Sequence, residues 1–464
     1  MTNPSEANRS YEAAIAWLYG RINYEATTAI PYGEQAMKLD RARELARRAD
    51  DPQERLRIVH IAGTKGKGST GAMIAGGLTA AGVSTGVYSS PHFDRIEERF
   101  AIDGEPCSPE EFVALIEFIR PLAEAMDQCS EGERGPTFFD ITTVMALRHF
   151  ADRGVSAAVM EVGLGGRLDS TNIVAPEVAV ITSISRDHTK QLGDTLEAIA
   201  AEKAGIIKPR VPVVSGVTEP GPAGVIERIA TERKAPLHRL DRDFSRHQIS
   251  SPPHAAAWGF TRSIKHGSEE RIEPLAPAMP GPQQAQNAAV ALAVLGLLAD
   301  RGWPLEPEQR LAGVNRARLP GRMERLEGAP LVVIDGAHND ASAAALADAL
   351  DSLCDPAPPE KRVLVVAISS NKDALAILAP LVDRFASVVA TRFLDNPRAF
   401  EPADLAERVR EASLKGSDCH TAEDPAGAFT TAERLAGEGG AVVFSGSLLF
   451  AAEARRLFRD RLAR

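Results

Sequence analysis

The residues with the clearest chemical sense are Gly63, Thr64, Lys65, Gly66, Lys67, Gly68, Ser69 and Thr70, a glycine-rich run carrying two lysines and a Ser-Thr pair. Glycines here let a backbone turn tightly and aim its N–H groups at an anion. Lys67 supplies a cation for β- and γ-phosphate oxygens, and Ser69 or Thr70 a hydroxyl for Mg2+. The spacing is not the usual Walker pattern, because Gly68 separates the lysine from the serine. A tightly packed turn that binds nothing is the alternative; the lysine and the hydroxyl pair together favour phosphate.

Other chemistry-bearing residues fall at the ends of apolar runs. Glu161 sits near the end of the run 157–162, before a glycine-rich turn, and His188 follows the run 178–184. With the Ser69 hydroxyl they offer hard oxygens and one imidazole, a set suited to Mg2+ that keeps some waters. A Glu161–Arg167 ion pair and a capped or core His188 are the plain alternatives. Further on, Asp335 and His338 follow the apolar run 331–334, where Asp335 could accept from a ribose hydroxyl and His338 could touch the nucleotide. Helix capping by Asn339 or Asp340 is compatible with that. Arg322 could clamp phosphate oxygens, and Asn287 could donate to adenine or phosphate. If one ATP is touched by both halves of the chain, closure would gate turnover and keep water out.

These residues need a scaffold that sets strand ends beside one another, and the patterning predicts one. Short β-branched runs at 57–62, 83–89, 157–162, 178–184 and 211–215 alternate with Ala- and Leu-rich stretches such as 69–81. Several runs are apolar throughout, as strands covered on both faces must be. The pattern predicts an α/β fold: a P-loop-containing N-terminal domain with a mostly parallel sheet (1–319) and a smaller, Rossmann-like α/β C-terminal domain (320–464). The break is placed near Pro320, where strands restart at 331–334, 362–368, 387–391 and 441–444, with helices at 341–350 and 447–458. Between 237 and 279 the rhythm lapses, and small antiparallel strands and loops are expected rather than another βα unit. A long helix is expected at 283–299.

Composition narrows the setting. The chain has 464 residues and a formal net charge of −10, which argues against nucleic-acid binding. Its four cysteines lack any CxxC spacing, so neither a disulfide framework nor a structural zinc is expected. The polar first ten residues read as no secretion signal, and no apolar run approaches the ~18 residues of a membrane span. A cytoplasmic monomer with small-molecule partners is expected.

The motifs, taken together, resemble the folylpolyglutamate synthases and dihydrofolate synthases of the Mur-ligase superfamily. The resemblance rests on His60 to Thr70, Tyr88-Ser89-Ser90-Pro91-His92, Glu161 to Asp169, Asp187-His188-Thr189, Glu202 to Pro209, Pro320-Gly321-Arg322 and Asp335 to Asn339, in that order. It implies an ATP-dependent ligase that joins L-glutamate to a folate or dihydropteroate through an acyl phosphate, with two Mg2+ ions. It implies Ser69, Glu161 and His188 as metal ligands, and Lys67, His188 and Lys203 as catalytic residues. Lys203 by composition is a cation in the last turn of helix Leu196–Ala204; the resemblance implies instead a lysine carrying a carbamate that helps organise the second Mg2+. Ser89, His92 and Arg99 become candidate substrate residues, and Thr137 and Phe139 candidate surface for a pterin, against loop packing and a buried core. Lys65 stands where the family usually has Asn, Phe93 where Leu is common, and Asp140 where many members carry Glu; Arg186 is also unusual. These departures bear on substrate preference and leave the ATP chemistry intact. A cell-wall-precursor ligase of Mur type and a P-loop NTPase that ligates nothing are the rival readings.

Overall fold

The computed structural model describes residues 4–23, 39–129, 135–187, 189–250, 257–264, 268–394 and 398–462. Their contacts fall into two compact units. The described residues of Met1–Ser250, Ala257–Pro277 and Gln283–Ala317 make the first, and those of Ala278–Pro282 and Arg318–Arg464 the second. No described helix is long and apolar enough to cross a membrane.

The first unit is built on a sheet of β1 (Arg57–Ala62), β2 (Thr85–Tyr88), β3 (Phe100–Ile102), β4 (Ala157–Glu161), β5 (Val178–Ile181), β6 (Val213–Ser215) and β7 (Leu237–Arg239). Their spatial order is β3-β2-β4-β1-β5-β6-β7, parallel except for the β2–β3 edge pair. Every residue of β4 and β5 is buried. Strands packed by helices on both faces can be apolar throughout, and each large side chain so buried contributes about 1.5–3 kcal/mol. Register pairs Ile61 of β1 with Glu161 on one side and Val180 on the other. The carboxyl ends of β4, β1 and β5 therefore emerge side by side, which is where open α/β sheets present ligand sites.

Three departures from the sequence pattern have local causes. The helix after β1 spans Lys67–Ala80, so Lys67 and Gly68 belong to its first turn. Strand β5 stops at Ile181, and the hydroxyls of the two residues after it bond to the loop after β1. Leu237–Arg239 pairs in parallel with β6 after the helix Pro220–Glu232, so another βα unit does exist where none was expected. That helix opens Pro-Gly-Pro, which reads as a breaker, yet a first helical turn needs no N–H from proline. The expected antiparallel strands follow as β8 (Phe244–Ser250), β9 (Ala257–Ser263) and β10 (Glu269–Leu275), and the expected long helix is Pro282–Asp300.

The second unit holds β11 (Glu324–Leu326), β12 (Leu331–Ile334), β13 (Arg362–Val366), β14 (Ser387–Ala390), β15 (Asp418–Thr421) and β16 (Ala441–Ser445). Their order is β11-β12-β16-β13-β14-β15, parallel except for β11. The whole is the α/β architecture expected, a mostly parallel sheet and a smaller Rossmann-like one. Edge strands β11 and β15 were invisible to patterning because they read ERL and DCHT, with no fully buried residue.

Candidate active site

The glycine-rich loop is held open by the segment after β5. Thr64 N–H donates to the Ser183 carbonyl at 2.8 Å, and Lys65 N–H to Ser183 Oγ at 3.0 Å. The Thr182 and Ser183 hydroxyls both donate to the Lys65 carbonyl, at 2.7 and 2.9 Å. The Lys65 backbone is thus pinned at both ends while its side chain is exposed. Gly66 then takes a left-handed φ of 82° as the N-cap of helix Lys67–Ala80. A Cβ at Gly66 would collide with the Asn287 carboxamide, so both conformation and space require glycine. The first N–H groups of the helix have no intrahelical acceptor, which with the helix dipole favours an anion there.

Two ammonium groups meet on one carbonyl. Lys67 Nζ donates to the Gly63 carbonyl at 3.2 Å and Lys203 Nζ to the same oxygen at 3.0 Å. Lys67 Nζ also lies 4.0 Å from Glu161 Oε1. Lys203 is only 5% exposed. Its ammonium is pushed down to about 7, first by burial and then by Lys67, against the pull of Asp187 and Asp169. The helix C-terminus favours a cation by about 0.3–1 kcal/mol at exposed positions. The desolvation cost of a buried ammonium exceeds that, so burial decides the charge state.

Glu161 and Lys203 share one frame. After β4 the Gly163 and Leu164 N–H groups donate to Asp169 Oδ2 at 3.0 and 2.9 Å, and Thr171 N–H donates to Oδ1 at 3.0 Å. A Cβ at Gly166 would lie 2.9 Å from the Glu202 carbonyl oxygen and 3.1 Å from Lys203 Cα, so the turn rests directly on the end of helix Leu196–Ala204. Arg167 donates to Glu202 from its backbone (2.8 Å) and its guanidinium (3.0 Å). Arg167 therefore pairs with Glu202, not with Glu161. Asn172 Nδ2 bridges the Arg167 and Gly205 carbonyls, at 2.9 and 3.2 Å.

The Ser-Pro-His segment makes a second group. Arg99, fully buried, donates through Nε to His92 Nδ1 at 2.9 Å, and its guanidinium lies 5.2 Å over Phe138 and 5.8 Å over Phe139. Burial, and then Arg99, push His92 down to about 4, so at neutral pH it is an acceptor. Ser89 follows β2 and is half-buried. Thr137 caps helix Phe138–Asp152: its hydroxyl donates to Asp140 Oδ2 at 2.7 Å and accepts from Asp140 N–H at 3.3 Å. Phe139 is buried beneath the Gly163 turn.

In the second unit, Asp335 directly follows β12 and is buried, accepting from Met323 N–H at 2.8 Å and Ala337 N–H at 2.9 Å. Burial raises its carboxyl, while those amides and Arg322 hold it down. His338 Nδ1 lies 2.8 Å from the Gly336 carbonyl, and Asn339 caps helix Asp340–Cys354 by accepting from Ser342 N–H. Asp335, Arg322 and His338 are thus local neighbours, as are Gly63 to Thr70, Glu161, Lys203 and Asn287 in the first unit. His188 lies outside the described residues.

Sequence reasoning missed Thr182, Ser183 and Gln284, and gave Asp169 a place in a motif but no role. Gln284 Nε2 donates to Ser69 Oγ at 3.3 Å. A Thr-Ser pair directly after a buried strand was the available signal for the first two.

Residues 61–295 match the Mur ligase middle domain, and residues 321–448 the Mur ligase glutamate ligase domain. Both matches are to Mur ligase domains, which define the class as a Mur-type ligase. A dihydrofolate synthase/folylpolyglutamate synthase of Bacillus subtilis is 33% identical over 449 residues, 96% of this chain and 99% of its own. A Mycobacterium tuberculosis folylpolyglutamate synthase solved with ADP and AMPPCP superposes with a TM-score of 0.80 at 33% identity, covering 97% of this chain and 99% of that one. An Escherichia coli FolC solved with DHPP and ADP gives 0.76 at 31%, covering 97% and 98%. The chain belongs to the dihydrofolate synthase/folylpolyglutamate synthase family of Mur ligases. Its activity is that of an ATP-dependent ligase.

Proposed function

We propose that the chain joins L-glutamate to dihydropteroate, to tetrahydrofolate polyglutamates, or to both, through an acyl phosphate. The observation that carries this reading is a complete phosphate loop, with Lys67 and Lys203 converging on Gly63, in a chain alignable end to end with a relative named for both reactions. An acceptor carboxylate oxygen attacks the γ-phosphorus of ATP, and the bond to the β–γ bridging oxygen breaks to release ADP. The glutamate amine then attacks the acyl carbon, loses a proton and expels phosphate. Lys67 and the loop amides hold the charge that gathers on the γ-phosphoryl oxygens. Gly63 to Thr70 and Asn287 are assigned to the nucleotide, as are Asp335, Arg322 and His338 in the second unit. The division at 1–319 and 320–464 is assigned with them.

The donor set fits Mg2+. Among the described residues no cluster of three His, Cys, Asp or Glu side chains is present. Ser69 and Glu161 would hold the ion together with phosphate oxygens and water, the shell Mg2+ prefers, and Thr70 Oγ1 is a buried oxygen with no hydrogen-bond partner. His188 and a carbamylated Lys203 are assigned to the metals by resemblance. Bound there, Mg2+ neutralises phosphate charge and orients the γ-phosphoryl group. Burial shifts Lys203 toward the neutral amine that addition to CO2 needs: Nζ bonds to carbon and a proton leaves. Ser89, His92, Arg99, Thr137 and Phe139 are assigned to the acceptor. A cytoplasmic monomer completes the reading.

The test offers purified protein ATP and glutamate with dihydropteroate, tetrahydrofolate or a nucleotide-sugar acceptor in turn. Phosphate release with either pteridine acceptor is expected; release with the nucleotide sugar alone would overturn the reading.

A further inference from the structure

Helix Pro282–Asp300 sends two side chains, one turn apart, against the phosphate loop. Asn287 packs its carboxamide against Gly66, at the one point where the loop takes a left-handed backbone. Gln284 reaches Ser69, donating from Nε2 to Oγ at 3.3 Å, and accepts from Asn287 Nδ2 on its own Oε1 at 3.1 Å. The helix start is fixed in turn, because Gln286 Nε2 donates to the Gly216 carbonyl at 3.0 Å, just beyond β6. The Gln284 amide is therefore used at both ends, and its orientation follows from its neighbours.

A serine hydroxyl has two lone pairs and a rotating hydrogen. When one lone pair is taken by Gln284, the hydrogen is excluded from that direction, and it and the second lone pair are confined to the two that remain. Ser69 is 7% exposed, so water has little room to set that rotor instead. We infer that Gln284 is a positioning residue that fixes the Ser69 hydroxyl for a Mg2+–nucleotide complex. It acts through Ser69 and touches neither phosphate nor metal. This rests on the assignment of Ser69 to the metal, and the experiment separates the two.

The probe is ADP, titrated calorimetrically with MgCl2 and again with EDTA, against wild type, Ser69→Ala, Gln284→Ala and Gln284→Met. Gln284→Met keeps the side-chain length, so it guards against a packing defect in the shorter variant. Wild type is expected to bind ADP more tightly with Mg2+. Both Gln284 variants should keep their EDTA affinity within about twofold and lose about five- to tenfold of the Mg2+-dependent gain, the size of one hydrogen bond. With Ser69 already Ala, Gln284→Ala should add less than twofold. Equal weakening with and without Mg2+ would make Gln284 a structural support only and overturn the inference. A full Mg2+ gain in Ser69→Ala, or none in wild type, would overturn the metal role of Ser69 and the inference with it.

Discussion

Lys203→Met isolates a group whose charge the fold strongly alters. Burial, with Lys67 beside it, holds the Lys203 amine at about 7 against an ordinary 10.5. At neutral pH about half of it is neutral, where an ordinary lysine would be neutral about once in 3,000 molecules. Between pH 7 and 10.5 the unfolded chain binds a proton that the folded chain does not. Stability must therefore rise with pH across that window, and fall again as pH drops toward 7. The limiting slope is about 1.4 kcal/mol per pH unit, and the whole interval is worth about 5 kcal/mol. Methionine fills similar space and does not titrate. Urea unfolding of both proteins at pH 7, 8 and 9, in CO2-free buffer so that no carbamate forms, gives the comparison. The stability of the Met variant relative to wild type should decline by about 2 kcal/mol from pH 7 to pH 9. Parallel pH profiles would refute burial as the cause of a neutral Lys203.

Three further outcomes follow from the same geometry. Gly66→Ala adds a left-handed alanine, about 1–2 kcal/mol of strain, and a collision with Asn287; ADP affinity by calorimetry should fall at least about tenfold, and a change within twofold would contradict the loop geometry. Asp169→Ala leaves the Gly163, Leu164 and Thr171 N–H groups without their acceptor, so chemical denaturation should show a loss of about 3 kcal/mol or more, since each buried orphan costs about 1–3 kcal/mol. Lys65→Asn removes an exposed cation; ADP affinity should weaken by no more than about fivefold, and the difference should vanish at 1 M salt, where exposed charges are screened.

Much of this site was legible because its signals are local. Gly63 to Thr70 carries its chemistry in eight consecutive residues, and Glu161 announces itself by ending an apolar run before glycines. Asp335 and Asn339 were readable for the same reason, one at a strand end and the other at a helix cap. What escaped depends on contacts distant in sequence. Thr182 and Ser183 matter because β5 lies in register beside β1, more than a hundred residues earlier. Gln284 matters because its helix returns to the loop across 215 positions. The cap that Thr137 makes with Asp140 is local in sequence yet was not read there. Strand β7 is only three half-buried residues, too short to stand out as an apolar run. Lys203 is the instructive middle case: its place on the helix was legible, but its neutral charge comes from burial that no spacing encodes.

The central claim is that the acceptor carboxylate, not water, attacks the γ-phosphorus. Acceptor folate labelled with 18O in that carboxylate tests this most directly, with the released phosphate read by mass spectrometry. One 18O per phosphate is predicted for each amide bond formed, because acyl phosphate breakdown leaves a carboxylate oxygen on phosphorus. Amide formation with unlabelled phosphate would contradict the account.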